Sequence, residues 1–188
     1  DRSSAASDVY KRQDDEKAGE TIVDYLIEHG HTKIAEIGAN LELSQTARLR
    51  HNGYLNSLKK HGITPDERYY ERARFSYDSA YRAMKKLLEK DIEITAVYAI
   101  SDVMAIGALR AILDKGLRVP EDISITGFDG STLAEYYNPK IVSIRQPHKD
   151  MAARSVELLF NMIDLHKGSC HEIIPFELTE GKSVARID

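Results

Sequence analysis

One cysteine, Cys170, among 188 residues leaves this chain no internal disulfide, and no charged-then-apolar leader opens it, so the expected setting is the reducing cytoplasm. No apolar run is long enough to cross a bilayer, which sets aside a helical membrane protein. An excess of charge is also missing. The 26 Lys and Arg stand against 30 Asp and Glu, a formal net charge of -4, with the two signs interspersed. Such a chain offers no broad positive surface to a phosphate backbone, so it does not read as a nucleic-acid binder by itself. GxSxG, HExxH, P-loop and GxGxxG signatures are absent and the lone cysteine has no placed base, which argues against an enzyme and against a bound cofactor. The HGH at His29 to His31 suggests a metal pair. Residues two apart at a helix end do not face one another, however, so the expectation is a helix C-terminus with solvated imidazoles and no metal.

What is present, in a length that can bury a sizeable core, is alternation. The polar opening DRSSAASDVYKRQ has no period and reads as a tail, linker or cloning remnant over 1–13. From Asp14, Ile22, Val23, Leu26 and Ile27 recur at helical spacing up to Gly30, and KIAEIGA follows as a strand. Ser44 caps a second helix that stops at Gly62, YYERARF reads as a strand, and a third helix starts near Asp78. TAVYAI, a helix from Asp102 to about Lys115, and ISITGF continue the pattern. A short LAEYY turn, the strand IVSIRQ, a long helix from about His148 to His166 and a strand-like EIIPFEL complete it. Strands alternating with helices of this length predict a doubly wound parallel α/β sheet covered on both faces, with right-handed crossovers.

Ligands of such sheets bind beyond the carboxyl ends of the strands. The residues expected there are Asn40 after the first strand, Phe75 after the second, Ser101 and Asp102 after the third, and Asp129 after the fourth. A carboxylate, an aromatic ring and small hydroxyl or amide groups suit a polyhydroxylated small molecule, because the acid accepts hydroxyl protons while the ring covers C–H faces. Plainer readings stand beside this one. Asp102 reads first as an N-cap with Ser101, Phe75 fits a core, and Asp129 between Gly127 and Gly130 serves equally as a turn-former or a ligand contact.

Four blocks, HGHTKIAEIGA, TARLRHNGYLNSLKKHGI, TAVYAISDVMAIGALRAILDKGLRVPEDISITGFDG and IVSIRQPHKDMAARSVELL, are together similar in order and spacing to the effector-binding domain of the LacI/GalR family of bacterial transcription repressors. The resemblance runs from about Asp14 nearly to the end. It implies a type I periplasmic-binding-protein-like fold, here mainly the C-terminal lobe over 14–145. It also implies a crossover over 146–168 belonging to the other lobe and a return over 169–188. The DNA-binding domain of such repressors has no counterpart in these residues.

By the same resemblance Arg50, three before Gly53-Tyr54, matches the effector-clamping arginine and Asp129 of GFDG matches the hydroxyl-binding acid. Phe75 falls where an aromatic packs on the ligand and Gln146 near the cleft. Ser101 falls where asparagine is common, and Gly130 where a second acid or asparagine is common, departures that leave the ligand's identity open. The family pairs side by side, which implies a homodimer contact through Ile106, Leu109, Arg110 and Leu113 on one helix, with Tyr136 and Tyr137 nearby. The implied function is sensing of a small effector, a sugar or sugar derivative, with operator DNA bound only through the missing domain. Rival readings are a periplasmic sugar-binding protein of a transporter and a sugar-modifying α/β enzyme.

Overall fold

The first helix, α1 (Asp15–Glu28), places Ile22, Val23 and Leu26 on one face, and all three are fully buried. Strand β2 (Ile34–Gly38) follows, buried at every position, as expected of a strand covered on both faces. The computed structural model describes residues 11–12, 14–147, 149, 152–153, 156–157, 160 and 172–187. Within them come α2 (Gln45–Lys60), a short 3-10 turn (Glu67–Tyr69), β3 (Tyr70–Arg72), α3 (Tyr77–Glu89), β4 (Ala96–Ala99), α4 (Asp102–Asp114), β5 (Ser124–Asp129), α5 (Thr132–Tyr136) and β6 (Val142–Arg145). The helices start within a residue or two of their expected bounds, since capping serines mark them, whereas β3 ends three residues before the end of the expected YYERARF strand and the 3-10 turn has no expected counterpart. Ser44, Ser76, Ser101 and Ser131 each accept a hydrogen bond from the amide three residues on, a cap worth about 1 kcal/mol.

The main sheet has the order β3-β2-β4-β5-β6, with β8 (Glu177–Leu178) at its far edge, and the pairings from β3 to β6 are parallel. Because the chain moves from β2 to β3 on one side and then to β4 on the other, the winding reverses between β2 and β4. That reversal opens a crevice at the carboxyl ends of these two strands. α1 packs on α2, and α3 on α4. Tyr98, Phe128, Ile37, Ile125, Leu26, Met84, Leu87, Leu109 and Ile112 are all under 2 % exposed, and each such apolar side chain contributes about 1.5–3 kcal/mol on burial.

The chain divides into two compact units, one of 15–145 with 178–188, the other of 1–14 with 146–177. The second unit contains a two-stranded parallel sheet of β1 (Lys11–Arg12) and β7 (Glu172–Ile173). The opening stretch expected as a tail therefore contributes a strand, and the single final strand expected over EIIPFEL is split between two sheets. Of the long helix expected from His148 to His166, Lys149, Ala152, Ala153, Val156, Glu157 and Phe160 are helical. Its other residues lie outside the described ones. Among the described residues no helix is long and apolar enough to cross a membrane.

Two expectations are corrected. Leu109 is fully buried and Ile106 is 7 % exposed. Neither is available to a second chain, because the helix turns that side toward its own core; only Arg110 and Leu113 of the expected edge face outward. Tyr136 is 82 % exposed and Tyr137 half-buried. His31, expected to be solvated, is buried. Its Nε2 lies 3.0 Å from the carbonyl of Ala185 and its Nδ1 3.1 Å from the Thr95 hydroxyl, and burial pushes its pKa down. It ties a loop to the sheet, and no group of three or more metal-ligating side chains forms among the described residues.

Candidate functional site

Parallel strands bring every strand's carboxyl end and every following helix start to one edge. There the β2–α2 connection and α2 supply Asn40 and Arg50, the β3–α3 loop Phe75, the β4–α4 turn Ile100 to Asp102, and the end of β5 Asp129. Arg50 is the centre of this edge. Its guanidinium lies 3.6 Å over the Phe128 ring, a cation–π contact. Its Nε donates to Asp15 Oδ1 at 2.9 Å, and its Nη1 donates to the Ile100 carbonyl at 2.6 Å and to Asp129 Oδ1 at 3.4 Å. With a side chain only 4 % exposed, the arginine is held before any ligand arrives. The contact with Asp129 is longer than a tight charge-assisted hydrogen bond, and the aspartate side chain is 32 % exposed.

Asp129 has a φ of 118°, and it is the single non-glycine residue with positive φ among the described ones. This backbone region costs a side-chain-bearing residue about 1–3 kcal/mol and persists only where the surroundings hold it. Regular strand alternation would set Asp129 on the same face as Gly127, which packs against Asp102 and Ala105 of α4. The unusual φ breaks that alternation.

Phe75, Asn40, Ser101 and Asp102 occupy the same edge with different duties. Phe75 is 49 % exposed, an aromatic surface in a loop where a core residue would be buried. The Asn40 side-chain oxygen accepts from the amides of Glu42 and Leu43, shaping the β2–α2 loop. Ser101 is 3 % exposed and its hydroxyl caps α4. Asp102 is not the cap it was expected to be: it is the first residue of α4, 1 % exposed, and its carboxylate reaches across to Ser131 and Ser143. Burial raises its pKa against the opposing effect of these hydrogen bonds. Gln146 belongs to the other unit. Two concavities elsewhere, of about 210 Å³ beside Tyr54 and Tyr69 and about 130 Å³ between Tyr81 and Lys115, include none of these residues.

Asp15, by sequence one of several acids at a helix start, is the tightest side-chain partner of Arg50. Its signal in the sequence is weak, since an acid in a first helical turn is ordinary. Behind Arg50, the neighbouring His51 bonds through Nδ1 to Glu36 Oε2 at 2.6 Å, and Glu36 is fully buried in β2. Burial pushes the Glu36 carboxyl up. Burial alone would lower the His51 imidazole, but the adjoining carboxylate outweighs it and raises it.

Comparison with known proteins decides what this arrangement belongs to. The family model described as a periplasmic binding protein-like domain matches residues 23–184. The HTH-type transcriptional regulator MalR of Clostridium butyricum is 40% identical over 174 residues, which cover 93% of this chain and 52% of that protein. A sugar-binding transcriptional regulator of the LacI family from Escherichia coli, solved with phosphate, superposes with a TM-score of 0.88 at 28% identity, covering 99% of this chain and 66% of that one. This chain belongs to the LacI/GalR family. The solved complex of the transcriptional regulator CelR with cellobiose superposes equally well, at a TM-score of 0.88 and 32% identity over 93% of this chain and 54% of that chain. The chain spans about half the length of the curated relatives it matches. Its fold is the periplasmic-binding-protein-like one that the resemblance implied, built on the parallel α/β sheet that the sequence pattern predicted, and its named relatives are regulators.

Proposed function

We propose that this chain is the effector-sensing part of a LacI/GalR-type transcriptional regulator, and that its effector is a small polyhydroxylated molecule, a sugar or sugar derivative. The observation that carries the reading is the Arg50–Asp129 pair at the winding reversal of the sheet, with the aspartate kept at a φ of 118°. A partly exposed carboxylate accepts hydroxyl protons while the fixed guanidinium beside it donates to ring or hydroxyl oxygens in the same small area, and Phe75 supplies an aromatic face for C–H groups. Asn40 and Ser101 frame the same edge. No covalent step is required. In the full-length, cytoplasmic protein the effector favours one of two lobe arrangements by its differential affinity, typically about 1–3 kcal/mol, and so alters operator binding by a separate DNA-reading segment. A homodimer uses the outward residues Arg110, Leu113, Tyr136 and Tyr137.

The test is a thermal-shift screen of monosaccharides, disaccharides and sugar phosphates, ribose and cellobiose included, followed by calorimetric titration of any hit. A saturable shift in the wild type that disappears in Asp129→Asn, with the variant still folded, is the expected result. Binding undiminished in Asp129→Asn removes this pair from the site, and turnover of a bound sugar would mean an enzyme.

A further inference from the structure

The strain at Asp129 needs something to hold it, and one buried carboxylate does so from a different helix. Asp102 Oδ2 accepts the amide N–H of Ser131 at 2.6 Å. Its Oδ1 accepts the hydroxyl proton of Ser143 at 2.6 Å, and that hydroxyl oxygen accepts the amide N–H of Gly130 at 3.0 Å. The amides of both residues following Asp129 are thus held by Asp102, one directly and one through Ser143. The same carboxylate fills the place toward which Asp129 would otherwise turn. A Cβ on Gly127 would lie 2.3 Å from Asp102 Oδ1, so only glycine in β5 leaves it room. Two carboxylates on that side would repel, and the side toward Arg50 is what remains. The backbone just before Asp102 completes the arrangement, since the Ile100 carbonyl accepts from Arg50 Nη1.

We propose that Asp102 is the positioning residue of the site: without touching the ligand, it clamps the turn after β5 so that the Asp129 carboxylate faces Arg50. The consequence for affinity rests on the effector reading above; the clamp itself does not. Because a hydrogen bond to a charged group is worth roughly twice one to a neutral group, replacing the acid by its amide weakens the clamp even where the shape is kept. An amide offers one acceptor atom, where the carboxylate serves two donors at once.

The experiment is NMR on the isotopically labelled 188-residue protein, comparing wild type, Asp102→Asn and Ser143→Ala. The readouts are the three-bond HN–Hα coupling of Asp129, which is small at its positive φ and large in extended backbone, and amide exchange at Gly130 and Ser131. Asp102→Asn is expected to raise that coupling and speed Ser131 exchange by about tenfold or more, and Ser143→Ala to do the same at Gly130. The first-turn amides of α4, capped by Ser101, stay as they are in both variants, which separates a lost clamp from a loosened helix. A folded variant with the wild-type coupling at Asp129 and unchanged exchange at both amides would overturn the proposal. If Asp102→Asn does not fold, Ser143→Ala decides alone. No ligand enters the measurement, so a negative result leaves the effector reading standing, and a failed sugar screen leaves the clamp standing.

Discussion

Arg50 Nη1 lies 3.4 Å from Asp129 Oδ1, although the two residues are 79 apart in the chain. The arginine does not depend on that contact for its place, because Asp15, the Ile100 carbonyl and the Phe128 ring already hold it. Arg50→Ala is therefore expected to destabilise the fold by about 3 kcal/mol, the usual cost of breaking a buried ion pair. Arg50→Lys should recover little of it, since an ammonium cannot serve Asp15 and Ile100 from the separate nitrogens of a planar fork. Urea unfolding checks both, and a fully stable Arg50→Lys would show that the fork geometry is dispensable.

At position 129 the usual order of small residues should invert. Glycine in a strand is ordinarily less stable than alanine by roughly 0.5–1 kcal/mol. At a φ of 118° alanine carries the strain and glycine does not, so Asp129→Gly is expected to exceed Asp129→Ala in stability by about 1 kcal/mol. Equal or reversed midpoints in urea would mean that the turn relaxes at no cost.

Gly53, one turn beyond Arg50, lets α1 and α2 touch: a Cβ there would lie 2.3 Å from the Glu16 carbonyl oxygen and 2.6 Å from the Glu20 amide nitrogen. Both obstacles are backbone, so Gly53→Ala must push the helices apart. The expected loss is about 1–3 kcal/mol, together with weaker effector binding, because Asp15 on α1 and Arg50 on α2 separate. Unchanged thermal stability would contradict this packing.

The Glu36–His51 pair makes stability depend on pH. Both groups bind protons more tightly in the folded chain, so the folded state holds more protons than the unfolded one and the pair's contribution falls as pH rises. The Glu36 part declines upward from its ordinary value of 4.5 and the His51 part upward from 6.5, each lost as pH passes through its folded pKa. Substituting His51→Gln should flatten the decline above pH 6.5. The difference between the two pH–stability profiles isolates this pair from other buried acids, and parallel profiles would remove His51 from it.

Outward and inward residues of α4 should part company when changed to lysine. Leu113 is 45 % exposed and Leu109 fully buried. In Leu113→Lys the fold is kept and a dimer, if it uses this face, gives way to monomers in light scattering. In Leu109→Lys the fold itself fails, because a charge enters the core unpaired. A dimer undisturbed in both Leu113→Lys and Tyr136→Ala would place the contact elsewhere.

Local features of this protein are legible in its residues alone. Ser44 as a cap and Gly30 and Gly62 as helix ends depend on hydrogen bonds made within a few residues, and such signals are written in adjacent positions. Asp129 is legible as a candidate because glycines flank it. Its backbone strain is not, since φ there is set by Asp102 and Ser143 from other elements. Leu109 misleads for a related reason: helical spacing shows that Ile106, Leu109 and Leu113 lie near one another, but not which of two neighbouring stripes meets the core.

By itself the sequence determined the alternation of strand and helix, and with it a parallel sheet whose loops gather at one edge; periodicity and capping are short-range and survive in any arrangement of the chain. Only the tertiary structure decided that the winding reverses between β2 and β4, that Asp15 rather than a nearer residue holds Arg50, and that Asp102 braces the turn of Asp129. Those outcomes depend on strand order and on contacts between residues far apart in the chain, whose partners are selected only when the core closes and each buried charge must find its counterpart.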